Sequence, residues 1–232
     1  MHAIALHTTR YNDRWSILSA WSLEYGSAPL LVPAKASADS RRIRALTQRL
    51  AIFECEPDIR PGRDVWHFGD LHPIGAAPIG TGPKAPVAML LAEILGKTLR
   101  GGPDADVWHF VTTSLGDFAR ADMRHAANFH LWFVARLSRH LGFGPDEGSY
   151  APGRVFDLKA GAFTPAPPRT GRYLAGDDAR LAHILLTASW QRLAMLRLNG
   201  RIRAAILRTL ADYYAAHDTP LQPLVTLDIL TR

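Results

Sequence analysis

The 232-residue sequence contains a single cysteine, Cys55. A lone thiol excludes an intrachain disulfide and any metal centre built from several cysteines. Long apolar runs are also missing, and nothing approaches the roughly 18 apolar residues that a membrane-spanning helix requires. Residues 2–11 alternate apolar and polar positions where a secretory signal would carry a continuous apolar core. By elimination, the chain reads as a cytoplasmic protein. Carboxylates are outnumbered, 21 against 27 cations, for a net charge of +6. That excess favours a polyanionic partner. At 47% hydrophobic and 21% charged, the chain is globular material long enough for one large or two modest cores.

Patterns for chemistry are scarce. The stretch Trp66-His67-Phe68-Gly69-Asp70-Leu71-His72 offers two histidines and an aspartate without the helical i, i+4 spacing of a zinc site. On a strand, His67 and Asp70 face opposite sides. His125 and His130 stand five apart, a poor angle for sharing one metal, and His130 lies on an apolar helix face that predicts a hydrogen-bonded core residue. Ser16 and Ser114 lack the strand–turn–helix context of a nucleophile elbow. In residues 80–84, Pro83 removes a backbone donor from what would otherwise approach a phosphate loop. No catalytic residue, metal site or cofactor is expected.

What is present divides by periodicity. Residues 2–7 and 15–21 alternate with period two, and the polar Tyr11-Asn12-Asp13 between them predicts a hairpin. Further strands are expected at 30–35, 48–55 and 65–71, the last two joined through Pro61-Gly62. Five short strands suit a small closed barrel or a sandwich, which pattern alone does not separate. The Gly/Pro-rich residues 74–86 read as a linker, giving domains at 1–80 and 81–232. After it the period becomes helical: 87–99, a helix capped by Asp104 or Asp106, one from Asp122 to Leu141, and two at 178–198 and 201–217. An irregular excursion at about 143–175 interrupts them, and residues 156–163 within it predict a small hairpin.

The positive charge is concentrated in two places. Lys35, Arg41, Arg42, Arg44 and Arg49 face one carboxylate, Asp39, over fifteen residues between the third and fourth strands. Guanidinium groups pair bidentately with phosphate, so a small helix or loop there can track a nucleic-acid backbone; a merely solvated basic loop is the alternative. Arg10 and Arg14, with Tyr11 and Trp15, can add phosphate or stacking contacts. Between Asp178 and Asp212 there are six arginines and no carboxylate. Of these, Arg197, Arg201 and Arg208 are expected on one helical flank, where they can meet DNA, receive an acidic protein tail beside Trp190, Leu193 and Leu196, or form an ordinary charged surface.

The succession of features resembles the RecO family of recombinational repair mediators. HAIALHTTRYNDRWSILSAWSLEYG (2–26) is similar to that family's opening hairpin, and PVAMLLAEILGKTLR (86–100) to its first C-terminal helix. ANFHLWFVARLSRHLGFGPD (127–146) resembles its long helix and Leu-Gly-aromatic turn, and RIRAAILRTLADYYAAHD (201–218) its closing helix. The resemblance implies an α+β protein: an N-terminal OB-fold barrel followed by an all-α domain. It implies a non-enzymatic, nucleoid-associated function. Such a protein binds and anneals single- and double-stranded DNA, and works with RecR and the single-stranded-DNA-binding protein, whose C-terminal tail it recognises, to load RecA. Many members carry a four-cysteine zinc module after the Leu-Gly-aromatic turn. Here that position has no cysteine, so the resemblance implies a zinc-less variant held by Tyr150, Val155, Phe156, Leu158 and Phe163. The rival readings are a generic OB-fold single-strand binder without recombination partners, and an enzyme using the histidines.

Overall fold

Strand alternation at the N-terminus builds a five-stranded antiparallel sheet from β1 (His2–Arg10), β2 (Trp15–Ser22), β3 (Gly26–Pro33), β4 (Ile52–Asp58) and β5 (His67–Pro73), in the order β3-β2-β1-β4-β5. The computed structural model describes residues 1–34, 37–75, 79 and 82–227. A parallel bridge between Leu30 and Trp66 brings the sheet's two edges together. Leu31 N donates to Trp66 O (2.9 Å) and Trp66 N to Pro29 O (2.8 Å). The sheet therefore curls toward closure, as in an OB-fold, and does not split into two layers. Its interior is narrow because Ala5, Ala20 and Ala28 lie side by side across three strands, while Leu18, Leu30 and Phe53 fill the remaining volume. α1 (Ala38–Leu46) packs Ile43 and Leu46 against this core.

Three strand limits differ from the sequence reading. β3 begins at Gly26, not residue 30, because Gly26 itself makes the turn with φ +71° and Pro29 is accommodated opposite Ser19. β4 begins at Ile52, not residue 48, since Leu50 at φ +63° turns the chain into it. β5 is shifted two residues onward, and β4 bulges beside Pro57, which has no N–H to give to the ladder.

The chain forms two compact units, Met1–Arg120 and Ala121–Arg232. The first includes α2 (Ala85–Thr98) and α3 (Ala105–Arg120) with the sheet, so it extends well past the boundary read from the linker near residue 80. Asp104 caps α3 by accepting from Val107 N (2.9 Å). Lys84 Nζ donates to Phe118 O (2.9 Å) and Ala119 O (2.8 Å), tying the entry of α2 to the last carbonyls of α3.

The second unit contains α4 (Met123–Ala126), α5 (Phe129–His140), β6 (Val155–Asp157), β7 (Ala162–Thr164), β8 (Tyr173–Leu174), α6 (Gly176–Thr187), α7 (Trp190–Ala194) and α8 (Gly200–Ala216). Both long helices expected here are broken. The first breaks at Asn128, which is buried and donates through Nδ2 to Leu193 O (2.8 Å) and Leu196 O (2.9 Å). The second stops at Thr187, and Ser189 caps a new short helix by accepting from Arg192 N. Ile202 is 40% exposed, and His130 is a buried core residue, as its apolar face predicts, with Nδ1 unpaired.

The excursion is a small folded module. Gly142 at φ +88° ends the helix, and β6 pairs with β7 and β8. Asp157 Oδ1 accepts from Lys159 N and Ala160 N to form the hairpin turn. Phe156 and Phe163 pack at 4.8 Å, and Phe143 stacks on His217 at 5.2 Å and 11°, fixing the module to the end of α8. Tyr213 donates its hydroxyl to Phe143 O.

Candidate nucleic-acid interface

Amphipathic phase turns the first basic cluster outward. In α1, Ile43 and Leu46 take the inner side at 3.6-residue periodicity, leaving Arg41, Arg42 and Arg44 on the opposite surface, all exposed. The helix starts cleanly because Ser37 and Ser40 form a reciprocal capping box. Arg44 is partly anchored, donating through Nε to Ser40 O (3.2 Å). Arg49 is exposed in the turn before β4. Lys35, assigned to the same cluster, lies outside the described residues.

Arg10 and Arg14 flank the β1–β2 turn and are exposed, as is Tyr11. The turn is built by Asn12, whose Oδ1 accepts from Arg14 N and Trp15 N (both 2.9 Å). Ala34 N donates to Arg14 O (2.9 Å), so the chain leaving β3 toward α1 passes beside this turn. Arg10, Asp13, Ser16 and Ala34 line an open hollow of about 400 Å³ there. Trp15 is half-buried, whereas Trp21 is a core residue at 1% exposure.

Sequence reading missed the loop between β4 and β5. Trp15 meets His67 edge-on, with ring centroids 5.8 Å apart, and His67 pairs with Asp58 across β4 and β5. Asp58 in turn holds Arg60, with Arg63 exposed in the same loop. The β1–β2 and β4–β5 loops thus share one end of the barrel, the two loops that line oligonucleotide sites in this architecture. Arg60 and Arg63 stand singly among proline, glycine and aspartate, so no charge run marked them. The Pro61-Gly62 turn between the last two strands was the available signal.

The second basic cluster is only partly as expected. Arg197 is not on a helix but in the loop between α7 and α8; Arg201 begins α8, and Arg208 lies two turns further along it. All three are exposed. Of the apolar wall proposed beside them, Leu193 belongs to the core at 1% exposure, and Trp190 is committed edge-on to Phe129 and His125. Exposed apolar groups nearby include Met123 (49%), Met195 (63%) and Ile202 (40%), with Arg124 Nη2 3.9 Å from Met195 Sδ. A separate cavity of about 320 Å³ is walled by Leu181, Leu185, Ile202, Ile206 and Leu210, with Asp178 as its charged member.

Among the described residues no three His, Cys, Asp or Glu side chains gather as a metal-binding set, and no helix is long and apolar enough to cross a membrane.

Comparison with known proteins gives one consistent assignment. The family described as "Recombination protein O C terminal" matches residues 83–219. A protein named DNA repair protein RecO from Porphyromonas gingivalis is 33% identical, with 99% of this chain and 96% of that protein aligned. Proteins of the same name from Phocaeicola vulgatus and Bacteroides fragilis are 29% and 28% identical, each with 98% of this chain and 95% of the relative aligned. Together with a barrel-like sheet followed by helices, these matches show that the chain belongs to the RecO family.

Proposed function

We propose that this protein is a DNA repair mediator that binds and anneals DNA strands and, with RecR, helps load RecA onto DNA coated by single-strand-binding protein. The relatives' name supports the repair role. The observation that carries the DNA-binding part is the outward face of α1, where Arg41, Arg42 and Arg44 project away from Ile43 and Leu46. Arg10, Arg14 and Arg49 extend the contact, and phosphate neutralisation by such cations supplies sequence-independent affinity. The protein acts by binding and positioning strands, without turnover.

On the helical unit, the acidic tail of the single-strand-binding protein docks where cations and apolar groups coincide. Arg197 and Arg201, with Arg124 beside Met195, provide that combination, and Arg208 extends it along α8. The cavity bearing Asp178 is less suited to an acidic ligand.

The test is annealing of complementary strands coated with the cognate single-strand-binding protein. Acceleration of pairing on coated strands supports the mediator reading. Binding to bare strands without that acceleration would support a generic single-strand binder instead.

A further inference from the structure

Each of the two loops at the barrel end carries one arginine held by a nearby aspartate and one that is not. Arg10 Nη2 donates to Asp13 Oδ1 at 2.7 Å. Arg60 donates through Nε to both oxygens of Asp58 at 3.1 and 2.9 Å, and its Nη2 lies 2.7 Å from Oδ2. Arg14 and Arg63 are exposed and make no ion pair among the described residues. The loops are linked through the Trp15–His67 contact and the Asp58–His67 strand pair.

A guanidinium fork that grips a carboxylate presents the same donors that would grip a phosphodiester. These pairs are solvent-exposed, with side-chain exposures of 75% and 88% for Arg10 and Asp13, and 58% and 43% for Arg60 and Asp58. Exposed pairs of this kind are weak enough to be exchanged for another anion. We infer that Arg60 and Arg63 form a second wall of the strand-binding groove opposite Arg10 and Arg14, and that Asp13 and Asp58 occupy the arginine forks until a phosphate displaces them. This rests on the DNA-binding reading above and deepens it. Breaking each aspartate–arginine pair offsets part of what the phosphate contact gains, so the groove holds a strand without trapping it. A protein that must release strands to each other gains from that limit on affinity. The Arg60 hydrogen bonds also hold the Asp58 carboxyl below the usual carboxylate range, so it stays charged and competitive near neutral pH.

The experiment is a fluorescence-anisotropy titration of a labelled oligo-dT with the full chain. The variants are Arg60→Ala, Arg63→Ala, Asp13→Asn, Asp58→Asn and the doubles Arg10→Ala/Asp13→Asn and Arg60→Ala/Asp58→Asn. Arg10→Ala is measured as the remaining single, and thermal melts confirm that each variant folds. Arg60→Ala and Arg63→Ala should each weaken binding several-fold. Asp13→Asn and Asp58→Asn should each tighten it by about two- to five-fold. That tightening should vanish when the partner arginine is already alanine, which is the signature of direct competition. Persistence of the tightening in the double variants would show a general field effect and overturn the gating. Parent-like binding by both Arg60→Ala and Arg63→Ala would overturn the second wall. Failure of the parent itself to bind at low salt would overturn the DNA-binding reading, a different result from either.

Discussion

Trp15, at the foot of the β1–β2 turn, meets His67, at the start of β5, edge to face: the ring planes are 88° apart. This contact bridges the ends of two loops that each carry two arginines, Arg10 and Arg14 on one and Arg60 and Arg63 on the other. Trp15→Ala should therefore lower single-strand affinity by roughly ten-fold, within the ~1–3 kcal/mol that an aromatic contributes at such sites. The barrel should remain folded, because its packed centre lies at Leu18, Leu30 and Phe53. Anisotropy titration with a parallel melt checks both parts.

Gly26 is a structural requirement of the first unit. Its φ is +71°, and a Cβ there would lie 2.4 Å from Gly101 O and 2.5 Å from Gly102 C, both backbone atoms. Neither neighbour can swing away as a side chain would. Gly26→Ala should destabilise the fold by about 1–3 kcal/mol or more, from overpacking and a disfavoured backbone conformation. Urea unfolding measures it, and a parent-like midpoint would show that the β2–β3 turn and the α2–α3 loop can separate at little cost.

His130 makes stability pH-dependent. Burial, followed by the nearby Arg203 charge, depresses its pKa from 6.5 to about 3, so the folded state holds it neutral. Between those values the unfolded chain binds a proton that the folded chain does not, so stability falls as pH falls from about 6.5 toward 3. The slope from this residue is up to ~1.4 kcal/mol per pH unit, and the contribution is fully present above pH 6.5. A folded His130→Gln variant should lose that component of the pH dependence in denaturant titrations, and an unchanged slope would refute the assignment.

The module after α5 is held by packing. Phe163 is buried against Phe156 and Tyr150, with ring centroids 4.8 and 5.1 Å apart. Phe163→Ala should cost about 3–5 kcal/mol. The purified protein should contain no stoichiometric zinc by elemental analysis, and prolonged chelation should leave its melting temperature unchanged.

Legibility in the sequence followed the range of the interaction. The basic cluster stood out as a charge run confined to a few residues, but whether it formed a helix or a loop, and which way its arginines faced, became visible only with α1. The hairpin at residues 156–163 was readable because its two strands and the turn between them are adjacent in sequence. The break at Asn128 was not, because its acceptors, Leu193 O and Leu196 O, come from residues 65 and 68 positions away. Arg60 and Arg63 were missed because only sheet topology brings the β4–β5 loop to the end of the barrel that carries the β1–β2 turn. Arg197 was placed on a helix because the helical period of 178–198 masks the stop after Thr187.

The central claim is that the barrel holds DNA through the exposed arginines of α1. It is tested most directly by the salt dependence of single-stranded DNA binding, comparing the parent with an Arg41→Ala/Arg42→Ala/Arg44→Ala variant of confirmed fold. Each lost phosphate contact should reduce the log–log slope by ~0.7, so loss of all three flattens it by about 2 and weakens binding across unrelated sequences alike. An unchanged slope and affinity in the folded variant would contradict the account and leave α1 a solvated surface.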